Sequence, residues 1–170
     1  APMVETLAAA VLVLTQWKGD LPLYDPFCGS GTILCEAYLH ASRTPSGILR
    51  ERFGFERLPD FQARLWKEVA REGRNQIREV PAGRVAGSDT ASAAVKAARG
   101  NCALIDSGRR IRIQQKDVFS ISGLQNVTIV CNPPYGIRQG IPGELPDFYR
   151  RLGDFLKRRC TGSTAYVYFG

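Results

Sequence analysis

The stretch Asn132-Pro133-Pro134-Tyr135 combines residue types that hold a flat, amine-bearing ring better than they continue a regular element. Asn132 brings an amide oxygen that accepts hydrogen bonds. Pro133 removes a backbone donor and Pro134 keeps the residue before it extended, so the carbonyls here are free and rigidly aimed. Tyr135 adds an aromatic face. A nucleobase stacked on that face would set its exocyclic amine between the Asn132 side chain and the Pro133 carbonyl, one acceptor for each of its hydrogens. Such bonds turn the amine lone pair out of conjugation and towards an electrophile.

Three further stretches carry polar groups of the kind that hold a small ligand: "DPFCGSGT" from Asp25, "GSD" ending at Asp89, and "KD" ending at Asp117. Gly29 and Gly31 let the backbone approach a ligand closely and present amide donors where a helix begins. Leu34 stands where the third glycine of G-x-G-x-x-G belongs, and G-x-x-x-x-G-K-[ST] is absent, which argues against a dinucleotide or a triphosphate. Asp89 is suited to accept from both hydroxyls of a ribose, and Asp117 from an adenine amine. Each aspartate alone reads equally well as a helix N-cap. Together they outline an adenosine.

These residues need a scaffold that brings them to one place. "VETLAAAVLVLTQW" reads as a helix, "LPLYDPF" as a short buried strand, and "TILCEAYLHAS" as a helix opening from the glycine turn. "DFQARLWKEVAREGRNQIREV" has an amphipathic period with Asp60 as its cap. "GRVAGSD" is a strand, "TASAAVKAARGNCALID" a helix, and "RIRIQQKD" an alternating strand that ends at Asp117. "VTIVC" is a buried strand before the Asn-Pro-Pro-Tyr corner, "ELPDFYRRLGDFLKRRC" a helix, and "STAYVYFG" a last strand. Alternating strands and helices predict an α/β domain over residues 1–170, with a mostly parallel, doubly wound sheet covered on both faces. In such sheets ligands bind beyond the carboxyl ends of the strands, which is where the four stretches fall.

Composition narrows the function. The chain has 170 residues, 44% hydrophobic, with a formal charge of +7. Most of the cations are arginines, which pair with phosphate bidentately, so a polyanion and above all a nucleic acid is the expected partner. The stretches Arg50 to Arg57 and Arg150 to Arg159 are the candidates for holding its backbone. Five cysteines with no C-x-x-C and a single histidine, His40, supply neither a zinc set nor a disulfide framework. They read as reduced core residues of a cytoplasmic protein. The apolar run "LAAAVLVL" is too short to span a membrane.

In this order, "DPFCGSGT", "GSD", the acid after the third strand and "NPPYG" resemble the class I S-adenosylmethionine-dependent amino-methyltransferases. "APMVETLAAAVL" before the first strand and "RFGFERLPDFQARLWKE" before the second are similar to THUMP-linked RNA methyltransferases. Among these it resembles especially the bacterial enzymes that methylate the 2-amino group of guanine in large-subunit ribosomal RNA, sequences often labelled adenine-specific DNA methylases. The resemblance implies a Rossmann-like catalytic domain with S-adenosylmethionine as cofactor. Asp25 would meet the methionine amino group, with Pro26, Phe27, Cys28, Gly29, Ser30 and Gly31 wrapping the cofactor and Thr6 near its carboxylate. Asp89 and Thr90 would hold the ribose, and Asp117 with Val118 the adenine. Asn132 would touch cofactor and base, and Pro133, Pro134 and Tyr135 would complete the base site. Where relatives carry a second Asp after "GSD", this chain has Thr90-Ala91. The resemblance further implies an N-terminal THUMP domain and two more strands outside this sequence, which begins Ala1-Pro2. Transfer RNA as target, adenine in DNA as target, and a non-catalytic RNA-binding module are the alternatives.

Overall fold

The computed structural model describes residues 3–134 and 144–169. Five strands form one sheet in the order β3-β2-β1-β4-β5, and every neighbouring pair is parallel. The strands are β1 (Leu23–Asp25), β2 (Val85–Asp89), β3 (Arg112–Gln115), β4 (Thr128–Cys131) and β5 (Thr164–Val167). The helices are α1 (Glu5–Thr15), α2 (Thr32–Ser42), α3 (Ala63–Asn75), α4 (Ser92–Ala103) and α5 (Glu144–Arg159). No described helix is long and apolar enough to cross a membrane.

The chain starts at the centre of the sheet, runs outward through β2 and β3, then returns to pair β4 with the other side of β1. That reversal opens a crevice at the carboxyl ends of β1 and β4. Strand alternation shows how the faces are covered. Along β4, Ile129 and Cys131 join the apolar cluster under α5, whereas Val130 joins the cluster under α1, α2 and α4. The doubly wound architecture follows from this two-faced burial. Four of the cysteines are buried within it and Cys35 is half-buried, its sulfur 3.4 Å from that of Cys102.

Two local expectations are corrected. The amphipathic segment forms a helix only from Ala63 to Asn75, with Gln62 at its N-cap and no side chain capping it, so Asp60 does not cap it. Residues after Asn75 are drawn elsewhere: the Arg78 N–H donates to the Ser42 carbonyl at 2.8 Å and its Nε to the Ala41 carbonyl at 2.7 Å. The third strand stops at Gln115 rather than Asp117, because Asp117 caps the following 3-10 turn, Val118–Ser120, by accepting from the Phe119 N–H.

Candidate functional site

Each strand of the central group delivers its terminal residues to one cleft of about 590 Å³. Asp25, Pro26, Phe27, Cys28, Gly29 and Ser30 line it after β1, Asp89 and Thr90 after β2, Asp117 and Val118 after β3, and Asn132, Pro133 and Pro134 after β4. The sheet order makes this convergence geometric, since β1 sits between β2 and β4 with Asp25 in register with Gly87.

Close approach of the strands shapes the floor. A Cβ on Gly87 would lie 2.7 Å from the Asp25 carbonyl oxygen and 2.9 Å from Leu34 Cδ1, so only glycine fits there. Gly31 is buried and sits at the N-cap of α2 with φ of 85°, a left-handed conformation that glycine adopts without strain. A side chain there would press on Ala98 of α4, at 3.1 Å. Gly31 thus seats the turn from beneath, while Gly29 and Ser30 face the cleft.

The acids differ in character. Asp25 is 1% exposed and its Oδ1 accepts from the Phe27 N–H at 2.9 Å. Burial pushes its carboxyl up to about 7; the Phe27 hydrogen bond opposes the rise and the charge of Asp89 adds to it. Burial likewise pushes the Cys28 thiol up to about 12, with Asp25 and Asp89 adding to the rise. Asp89 is half-exposed and already ordered: Oδ2 accepts from the Gly29 N–H at 3.0 Å and Oδ1 from the Ala91 N–H at 2.9 Å. It therefore ties the glycine turn to the end of β2 and keeps one lone pair on each oxygen for a ligand. Asp117 Oδ1 accepts from the Phe119 N–H at 2.7 Å, and Oδ2 carries no hydrogen bond among the described residues.

At the Asn-Pro-Pro corner, Asn132 Oδ1 is buried and has no hydrogen-bond partner among the described residues. The second carbonyl of the corner is taken, because the Tyr149 hydroxyl on α5 donates to the Pro134 oxygen at 3.0 Å. Pro133 is fully buried. The corner therefore offers the Asn132 amide and the Pro133 carbonyl, and α5 braces it. Tyr135 lies outside the described residues. Thr6 is exposed on α1 and is not part of the cleft lining.

Sequence reasoning missed the aromatic part of one wall, and reached Arg151 only as one residue of the Arg150 to Arg159 stretch. Phe119, Phe148 and Arg151 line the cleft, and Met3 and Ile33 contribute apolar surface. Phe148 meets Phe27 and Phe119 edge-on, at ring separations of 5.8 and 5.7 Å. The Arg151 guanidinium lies 4.0 Å from the centre of the Phe119 ring. The available signal was the i, i+3 spacing of Phe148 and Arg151, which puts both on one side of α5.

The comparisons with known proteins agree with this geometry. A Synechocystis protein named "Putative RNA methyltransferase slr0064" is 38% identical over 171 residues, which cover 100% of this chain and 44% of that protein. The "Ribosomal RNA large subunit methyltransferase K/L" of Photobacterium profundum is 36% identical over 176 residues, covering 100% of this chain and 25% of that protein. Among solved structures, "SMU.472, a putative methyltransferase complexed with SAH" superposes with a TM-score of 0.88 at 26% identity, over 98% of this chain and 44% of that one. The chain thus spans less than half the length of these curated relatives. Residues 1–170 match the family described as UPF0020, RMKL-like, methyltransferase domain, and the chain belongs to that family.

Proposed function

We propose that this chain binds S-adenosylmethionine and methylates an exocyclic amine of a base in RNA, with the 2-amino group of guanine in large-subunit ribosomal RNA as the target. The observation that carries the reading is the buried, unpartnered Asn132 Oδ1 in the same cleft as Asp25 and Asp89. A buried acceptor without a donor is costly, and a ligand amine removes that cost.

The residues present fit the cofactor. Asp25 would take its ammonium group, since a carboxyl this buried gains most from a cation beside it. The free lone pairs of Asp89 would accept from ribose hydroxyls, and Asp117 Oδ2 from the adenine amine beside Val118. The backbone from Phe27 to Gly31 would wrap it. When bound, the cofactor supplies an electrophilic methyl group. The chain's own part is positioning: Asn132 and the Pro133 carbonyl hold the target amine with its lone pair exposed, and the Phe27–Phe148–Phe119 wall keeps water from one side. Bound RNA would run along the basic surface of the protein.

The test is calorimetric titration with S-adenosylmethionine, followed by transfer of labelled methyl from it to ribosomal RNA, transfer RNA and duplex DNA. Wild type should bind the cofactor and label the ribosomal RNA. Asp89→Ala should weaken cofactor binding at least about tenfold, the loss of one or two hydrogen bonds. Asn132→Ala should cut the transfer rate by about 10² or more, as expected when a positioning acceptor is removed. Label on DNA alone, or none on any nucleic acid despite bound cofactor, would overturn the proposal.

A further inference from the structure

The α5 wall of the cleft continues into a second groove of about 260 Å³, lined by Phe119, Arg151, Asp154, Phe155, Arg158 and Arg159. Phe119 and Arg151 line both cavities, so the two meet at that pair. Three guanidinium groups against one carboxylate make the groove electropositive.

The three arginines are not equivalent. Arg159 is used internally, its Nη1 donating to the carbonyls of Phe119 and Ile121 at 3.2 and 3.3 Å, which fixes the backbone beneath the ring. Arg158 stands 3.8 Å from Asp154 in an exposed pair one helical turn apart, a contact of little energetic weight. Arg151 makes no ion pair among the described residues. Its contact with the Phe119 ring orients the guanidinium without consuming any of its N–H donors. Phe155 is 4% exposed and gives the groove an apolar floor. A charge binding there is held against low-dielectric material and is screened less than on open surface.

Resting on the function proposed above, we infer that this groove seats a backbone phosphate of the RNA strand next to the base held in the cleft. Arg151 is the anchor and Arg158 the second cation. The Arg151 guanidinium already occupies a face of Phe119, so a base does not stack there, whereas the planar fork of N–H donors matches phosphate oxygens. A base entering the cleft carries its own backbone past the cleft rim, where the groove begins. The other arginine stretch, Arg50 to Arg57, lines neither cavity.

The experiment measures binding of a short, fluorescently labelled single-stranded RNA to the full chain with S-adenosylhomocysteine present, across a series of KCl concentrations. R151Q should weaken binding roughly 3- to 10-fold at low salt and lower the slope of log Kd against log[KCl] by about 0.7, the value of one phosphate contact on a single strand. R158Q, whose side chain lies outside the cleft, should act in the same direction while keeping its cofactor affinity. R151K retains the charge and should keep the slope while losing part of the affinity. Wild-type affinity and slope in both R151Q and R158Q would overturn the groove, as would a wild type whose RNA binding shows no salt dependence. If R151Q also transfers methyl to RNA as fast as wild type at every RNA concentration, the groove fails and the methyltransferase reading stands. A wild type that binds RNA through Arg151 yet methylates none keeps the groove and sinks that reading.

Discussion

Asp25 sits at the end of the central strand, 1% exposed, with one hydrogen bond to its carboxylate among the described residues. Burial moves the group from 3.8 to about 7 in the folded protein. Between those two values the native state holds a proton that the unfolded chain has released. Stability therefore falls as pH rises through that window: the contribution is complete below about pH 4, declines towards about pH 7 and is flat above it. A rise from 3.8 to about 7 is worth about 4 kcal/mol, a large share of the net stability of a single domain. Asp25→Asn keeps an oxygen for the Phe27 N–H and cannot ionise, so it should remove this dependence. Urea unfolding of both proteins at intervals from about pH 4 to about pH 8 makes the comparison. The two should differ little at the acid end, and the variant should pull ahead by several kcal/mol at the alkaline end. Parallel profiles would refute the claim that burial governs this carboxyl. If S-adenosylmethionine seats its ammonium beside Asp25 as proposed, the linkage should reverse: the cation would favour the charged form, so binding below about pH 7 should release a proton and tighten as pH rises. Calorimetry in buffers of different ionisation enthalpy reads that proton directly.

Three substitutions probe the rest of the scaffold. Gly87→Ala places a methyl 2.7 Å from the Asp25 carbonyl oxygen, so β1 and β2 must part and about 2 kcal/mol or more of stability should be lost in thermal unfolding; an unchanged midpoint would contradict the close approach. Gly31→Ala forces a side chain into a φ of 85° and against Ala98, and calorimetry should show weaker cofactor binding as well as lower stability. Tyr149→Phe removes the donor to the Pro134 carbonyl, and the expected result is a loss of about 1 kcal/mol in stability together with a several-fold lower rate of methyl transfer at saturating cofactor. Cofactor affinity should hold in that variant, and a rate equal to wild type would show that the corner keeps its shape without α5.

The parts of this molecule that local chemistry dictates could be read from the chain. The span of α2 from Thr32 to Ser42 follows from the glycine turn ahead of it and the apolar period within it, and the four residues Thr128 to Cys131 of "VTIVC" form β4 and are all buried. The acids at the strand ends could be found because sheet topology gathers them without further information. What escaped depends on contacts between distant residues. Asp60 looks like a cap, yet the chain before Ala63 turns on the Leu58 carbonyl instead, where the Phe61 N–H donates at 3.1 Å. The strong amphipathic period of α3 suggests a docked helix, but none of its residues is buried, and Trp66 packs with Phe53 and Phe55 of its own loop. Phe148 reads as an ordinary position of an amphipathic helix, and Arg151 as one of several candidate phosphate contacts. Only the crossing of α5 over the loop after β3 brings them to Phe119 and the cleft.

The hydrogen bond from Tyr149 to Pro134 has a thermodynamic consequence. Tyr149 and Arg151 are two residues apart on one helix, so the corner that would hold the target base and the cation that would hold its backbone belong to a single stiff body. If both positions bind as proposed, occupancy of either should bias the other, and by linkage the bias would be reciprocal: whatever factor RNA adds to the order of the Asn132 corner, a ligand filling that corner would return to the affinity for RNA. Cofactor and RNA would then meet as coupled ligands, and removing the Tyr149 hydroxyl should weaken that coupling while leaving the affinity for cofactor alone unchanged.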